Sequence, residues 1–108
     1  MPKIEGAGIF AAKPGAASYV EQLRVADLSV GTYSIPIGGV DGQSPHTEDE
    51  IYVVTGGSAT FVDDTGRTAV GSGDVLFVRA GVAHRFEDVT ADLTLVVVFG
   101  PAEGSRTS

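Results

Sequence analysis

Short apolar runs cut by glycine and aspartate turns constrain this chain most. Fifteen glycines are scattered through 108 residues, and no segment carries a sustained apolar repeat at helical spacing. Runs of four to eight β-branched and aromatic residues bounded by Gly, Asp, Ser and Pro read as strands. The expected elements are Ala7–Lys13 as a first strand, then Tyr19–Val25 and Leu28–Pro36 joined near Ala26–Asp27. A Gly/Asp/Ser-rich loop, Gly38–Pro45, leads into Glu50–Thr55. Gly56–Gly57 breaks that strand and Ser58–Val62 resumes it. Asp63-Asp64-Thr65-Gly66 is a hairpin loop in which Gly supplies a positive φ. Arg67–Val70, Val75–Arg79, Ala83–Asp88 and Leu93–Phe99 complete the set, and Gly100–Ser108 reads as a loose polar tail. Some ten short strands at even spacing predict an all-β sandwich or closed barrel. A chain this short is one domain, with a core over about residues 7–100.

Composition excludes several function classes. Seven Lys and Arg stand against fourteen Asp and Glu, a formal charge of −7, with no basic cluster to neutralise a phosphate backbone. A nucleic-acid partner is therefore not expected. With no cysteine, disulfides, thiolate metal sites and cysteine nucleophiles are all ruled out. The N-terminal stretch has no basic segment followed by a long apolar run, so a cytoplasmic location is the expectation. The longest apolar stretch, Leu95–Phe99, is too short to span a bilayer, and no membrane association is expected.

The candidate chemistry lies around the only two histidines. His46 sits in Gly38-x5-Ser44-x-His46-x3-Glu50-x6-Gly57, and His84 in Gly73-x5-Arg79-x-Gly81-x2-His84-x3-Asp88. On extended strands Glu50, Tyr52 and Val54 share one face, as do His84, Phe86 and Asp88. Polar groups on the same face as Phe86 and Val54 are costly to bury unless paired or bound. A metal would satisfy two imidazoles and one carboxylate at once, a donor set suited to Fe, Mn, Zn, Ni or Co as a divalent ion. A fourth ligand could come from Ser44, Gln43 or Glu48. Tyr52 is a candidate acid or orienting donor, with Phe86 beside it lining the pocket. Phe61, Phe77 and Phe99 read as core. Arg79 could face solvent or pair with Asp74, and Arg24 reads as an outer-face residue.

These two stretches resemble the two motifs of the cupin superfamily, and the resemblance covers roughly half the chain. It departs at Ser44, where the family has a first histidine, at Arg79, where it has proline, and at Asp88, where it has asparagine. The resemblance implies a single-domain jelly-roll β-barrel with a metal pocket held by His46, Glu50 and His84. It further implies a small metal-binding protein, either a metalloenzyme of dioxygenase or isomerase type or a non-catalytic binder of a small molecule. A partner-binding protein with a vestigial site is a third reading. Small cupins commonly pair, so a homodimer is expected.

Overall fold

A computed structural model describes residues 3–106. Its strands are β1 (Ser18–Arg24), β2 (Ser29–Ile35), β3 (Asp49–Asp63), β4 (Gly66–Gly71), β5 (Val75–Val78) and β6 (Arg85–Gly100). All pairings are antiparallel, in the order β1-β2-β6-β3-β4, with β5 also on β3. There is no helix among the described residues, so none is long and apolar enough to cross a membrane. The all-β expectation holds.

Two long strands do most of the building, where four short ones were expected. Gly56–Gly57 does not end β3. The register with β6 shifts repeatedly between Val54 and Thr60, and an extra residue in a strand reverses which side chains face inward. Before the shift the even residues Glu50, Tyr52 and Val54 are buried; after it the odd residues Ala59 and Phe61 are. Gly57 makes this possible. Its φ is +87°, and a Cβ there would lie 2.1 Å from the Asp92 carbonyl oxygen. β6 reverses in the same way around Asp88, which has a φ of 51°: Phe86 is buried before it, Val89, Leu93, Leu95, Val97 and Phe99 after it. Both long strands therefore contribute two inward-facing stretches to one core, joined by Ile35, Val70 and Val78. The same reversal takes Asp88 off the face it was expected to share with His84. It is exposed and pairs with Arg67 at 3.1 Å.

Three further expectations are corrected. Ala7–Lys13 is not a strand. It lies along β2 through side chains, Gly8 N–H donating to Thr32 Oγ1 at 2.9 Å and Ala11 N–H to Ser34 Oγ at 3.1 Å. Phe77 is 61% exposed and not core, because it alternates outward on β5 opposite the outward-facing Ile51. Residues 101–106 are not a loose tail. Ala102 is buried, and Glu103 N–H donates to the buried Ser29 Oγ at 2.9 Å; Thr107 and Ser108 lie outside the described residues.

Candidate metal centre

His46 lies in the loop before β3, and His84 immediately precedes β6. Backbone and side-chain bonds tie these two approaches together. Gly81 N–H donates to the His46 carbonyl at 2.8 Å, and Ala80 N–H to Asp49 Oδ1 at 2.9 Å. Gly81 turns with a φ of +82°, which suits glycine best. The turn thus carries His84 to the end of β3 where Glu50 points inward.

One ligand atom from each of His46, Glu50 and His84 lies within 4.8 Å of the others. Glu50 Oε1 is 3.6 Å from His46 Nδ1 and 3.2 Å from His84 Nε2. The His84 and Glu50 side chains are almost wholly buried, and His46 is about a fifth exposed, at the cavity. His46 Nδ1 and Glu50 Oε1 are buried without a hydrogen-bond partner. Orphaned buried polar atoms are costly, and here two of them converge beside a third donor. Two imidazole nitrogens and a carboxylate fit a late first-row divalent ion, so the residues present suit the metal that their spacing implies.

The electrostatics follow from the same contacts. The Glu50 carboxylate raises the His46 imidazole, outweighing burial. Burial lowers His84, but the facing Glu50 carboxylate and the Val82 carbonyl outweigh it and leave it raised. Burial would raise Glu50, yet His46, His84 and Tyr52 together hold it below the usual carboxylate range. Tyr52 is driven well above its ordinary value by burial and by the Glu50 charge. It remains a neutral donor, with its hydroxyl 2.9 Å from His84 Nε2 and 3.0 Å from Gln43 Oε1.

The centre opens onto a cavity of about 220 Å³ lined by Tyr19, Tyr33, Gln43, Phe99 and Glu103 among others. Tyr19 crosses over Gly31, where a Cβ would lie 2.2 Å from its hydroxyl, and that hydroxyl is buried without a partner.

The three candidates for a fourth ligand are placed differently. Ser44 is exposed. Gln43 lines the cavity, its amide donating to Asp41 Oδ2 and its carbonyl accepting from Tyr52. Glu48 is buried, but it accepts from Gly104 N–H at 2.9 Å, Arg106 N–H at 3.1 Å and Thr47 Oγ1. Arg79 is exposed, and Asp74 caps Gly71 N–H. Arg24 is on the outside, pairing with Glu21 and donating to the Glu103 carbonyl at 2.7 Å.

Sequence reasoning missed two residues. Asp41 organises the loop, accepting from Tyr33 Oη at 2.6 Å and from Phe86 N–H at 2.8 Å. Its only local signal was its place in a Gly/Asp/Ser turn. Glu103 reaches the site from the C-terminal segment, 3.4 Å from His46 Nε2, and no local signal marked it.

Comparison with known proteins agrees with this geometry. The family model described as "Cupin domain" matches residues 31–99. An uncharacterised protein of Streptomyces coelicolor is 43% identical over 93 residues, covering 86% of this chain and 87% of that protein. Among solved structures, an RmlC-like cupin from Shewanella frigidimarina superposes with a TM-score of 0.74 at 19% identity, covering 91% of this chain and 86% of the other. KdgF from Halomonas sp. gives 0.73 at 18% identity and 84% of each chain. At these identities the structural matches speak for the fold. With both motif stretches inside the matched region and their histidines on one carboxylate, the chain belongs to the cupin domain family.

Proposed function

We propose that this protein binds a divalent metal through His46, Glu50 and His84 and presents it to a small organic molecule in the adjoining cavity. The observation that carries the reading is the convergence of two orphaned buried atoms, His46 Nδ1 and Glu50 Oε1, on His84 Nε2. Three protein ligands leave coordination positions open, the arrangement of catalytic rather than structural sites. When bound, the metal would supply Lewis acidity or an O2-binding position. The chain's own residues then divide the remaining work. Tyr52, kept neutral by burial and by Glu50, donates its proton to Gln43 Oε1 at the cavity wall. Gln43 and Asp41 orient that hydroxyl. Tyr19, Tyr33, Val97 and Phe99 exclude water and favour a compact ligand with an apolar body.

Elemental analysis of gently purified protein tests the metal, with His46→Ala and His84→Ala as controls. Full metal retention in both variants would refute the ligand set. Oxygen uptake on a panel of small thiols, diketones and phenols separates an oxygenase from an isomerase-type enzyme. The exposed Ser44, in the slot of the family's first histidine, favours a second reading: a non-catalytic small-molecule binder with a weaker metal site. Ligand binding without turnover on that panel would support it.

We also infer that a second copy covers the outer face of the sheet. Ile51, Val75 and Phe77 are 40%, 63% and 61% exposed there, on adjacent strands with Ile51 opposite Phe77 and Val98, and Val53 opposite Val75 and Val96. An apolar patch of this kind marks an association surface.

A further inference from the structure

The C-terminal segment is fixed to the body on both sides of Glu103. Glu103 N–H donates to Ser29 Oγ and its carbonyl accepts from Arg24 Nη2 at 2.7 Å. One residue on, Gly104 N–H donates to Glu48 Oε1, and Arg106 N–H to Glu48 Oε2. Glu48 is 1% exposed, and both its oxygens are spent on this segment. The backbone is therefore clamped where the Glu103 side chain turns into the cavity, and that side chain meets His46.

Each histidine then has an outer oxygen at the nitrogen turned away from Glu50, a hydrogen bond in His84 and an ion-pair contact in His46. His84 Nδ1 lies 2.9 Å from the Val82 carbonyl, which leaves Nε2 facing Glu50. His46 Nε2 lies 3.4 Å from Glu103 Oε2, which leaves Nδ1 facing Glu50. A neutral imidazole carries one N–H and one lone pair, and an outer acceptor on one nitrogen assigns the lone pair to the other. Histidines that ligate metals are commonly oriented by such an outer carboxylate or carbonyl.

We propose that Glu103 is the positioning residue of the metal centre: it holds His46 Nε2–H and so presents Nδ1 to the metal, from a segment that Glu48 clamps in place. This inference rests on the metal reading above. It also reassigns Glu48, a sequence-level candidate ligand, to the support of another residue.

The test uses the full chain loaded with Zn(II). Chelator competition should show E103A binding zinc about 10–100-fold more weakly than wild type, with E103Q, whose amide oxygen still accepts the bond, falling between the two. Metal-free E103A should melt with wild type, since the side chain is about a third exposed. Histidine 15N spectra of the zinc protein should show His46 metallated at Nδ1 and protonated at Nε2. Zinc bound to Nε2 of His46, or E103A affinity equal to wild type, overturns the role of Glu103 and leaves the metal site standing. Failure of wild type to take up zinc overturns the metal reading itself.

Discussion

At high pH, replacing Glu50 by glutamine should change stability in opposite directions with and without metal. Glu50 is 2% exposed, and Oε1 lacks a hydrogen-bond partner while facing two imidazoles. Both imidazoles titrate above their ordinary value of 6.5. A raised histidine contributes stability that is fully present below the unfolded value and is lost as pH rises through the folded one. At about pH 6, therefore, the metal-free wild type has its buried carboxylate facing protonated partners, and Glu50→Gln is destabilising. At a pH above both folded values the imidazoles are neutral and wild type keeps an uncompensated buried anion. Leaving such a group unsatisfied costs about 1–3 kcal/mol. Taking about 2 kcal/mol, and about 4–8 °C per kcal/mol for a domain near this size, Glu50→Gln should melt roughly 8–16 °C higher than wild type in chelator at that pH. Metal at about a hundred times its dissociation constant should stabilise wild type by about 2.7 kcal/mol and the variant little, which reverses the order. Differential scanning fluorimetry at the two pH values, with chelator and with excess zinc, reads all four cases. A variant less stable than wild type in all four would show that Glu50 is a structural carboxylate and refute the argument.

Other substitutions separate the parts of the fold. Ser44→Ala should leave metal uptake unchanged in elemental analysis, because Ser44 is exposed. Gly57→Ala should lower the denaturant midpoint by at least about 2 kcal/mol of stability without changing the m-value, since the new Cβ meets the Asp92 carbonyl at 2.1 Å and φ is +87°. Wild type should scatter light as a dimer at micromolar concentration, and Phe77→Asp, which puts a charge into the exposed apolar row, should shift it to monomer.

What the sequence shows about this fold divides by the range of the interactions. Strand runs and the hairpin at Asp63–Gly66 were legible because turn residues and β-branched runs are local signals, and β2, β4 and β5 fall within two residues of their expected ends. Joining four runs into β3 and β6 was not legible. A glycine pair reads as a break, and only the partner strand shows that Gly57 is a bulge beneath the Asp92 carbonyl. Phe77 has the composition of a core residue, and its exposure follows from the parity of its pairing with Ile51. The convergence of His46, Glu50 and His84 was foreshadowed by spacing because Glu50 pairs with Val78 at the end of β5, and the short turn after β5, tied to His46 and Asp49, brings His84 back to it.

The outer half of the centre has no such signal, and the reason is physical. Glu48 was a candidate ligand on spacing alone, two residues from His46 and two from Glu50. Which way its carboxylate turns depends on backbone amides far along the chain. The Gly104 and Arg106 amides lie 56 and 58 residues away, and a carboxylate as deeply buried as Glu48 must find donors somewhere. Once Glu48 takes them, the segment cannot lie free, and Glu103 is carried to His46 as a consequence. A Gly/Ser-rich, polar C-terminus reads as solvated because its composition carries no apolar period. Its order here comes from hydrogen bonds to one buried carboxylate, one buried serine and one arginine. The candidate metal ligands can therefore be read from local spacing, while the group proposed to orient one of them is found only by following where the buried Glu48 carboxylate is satisfied.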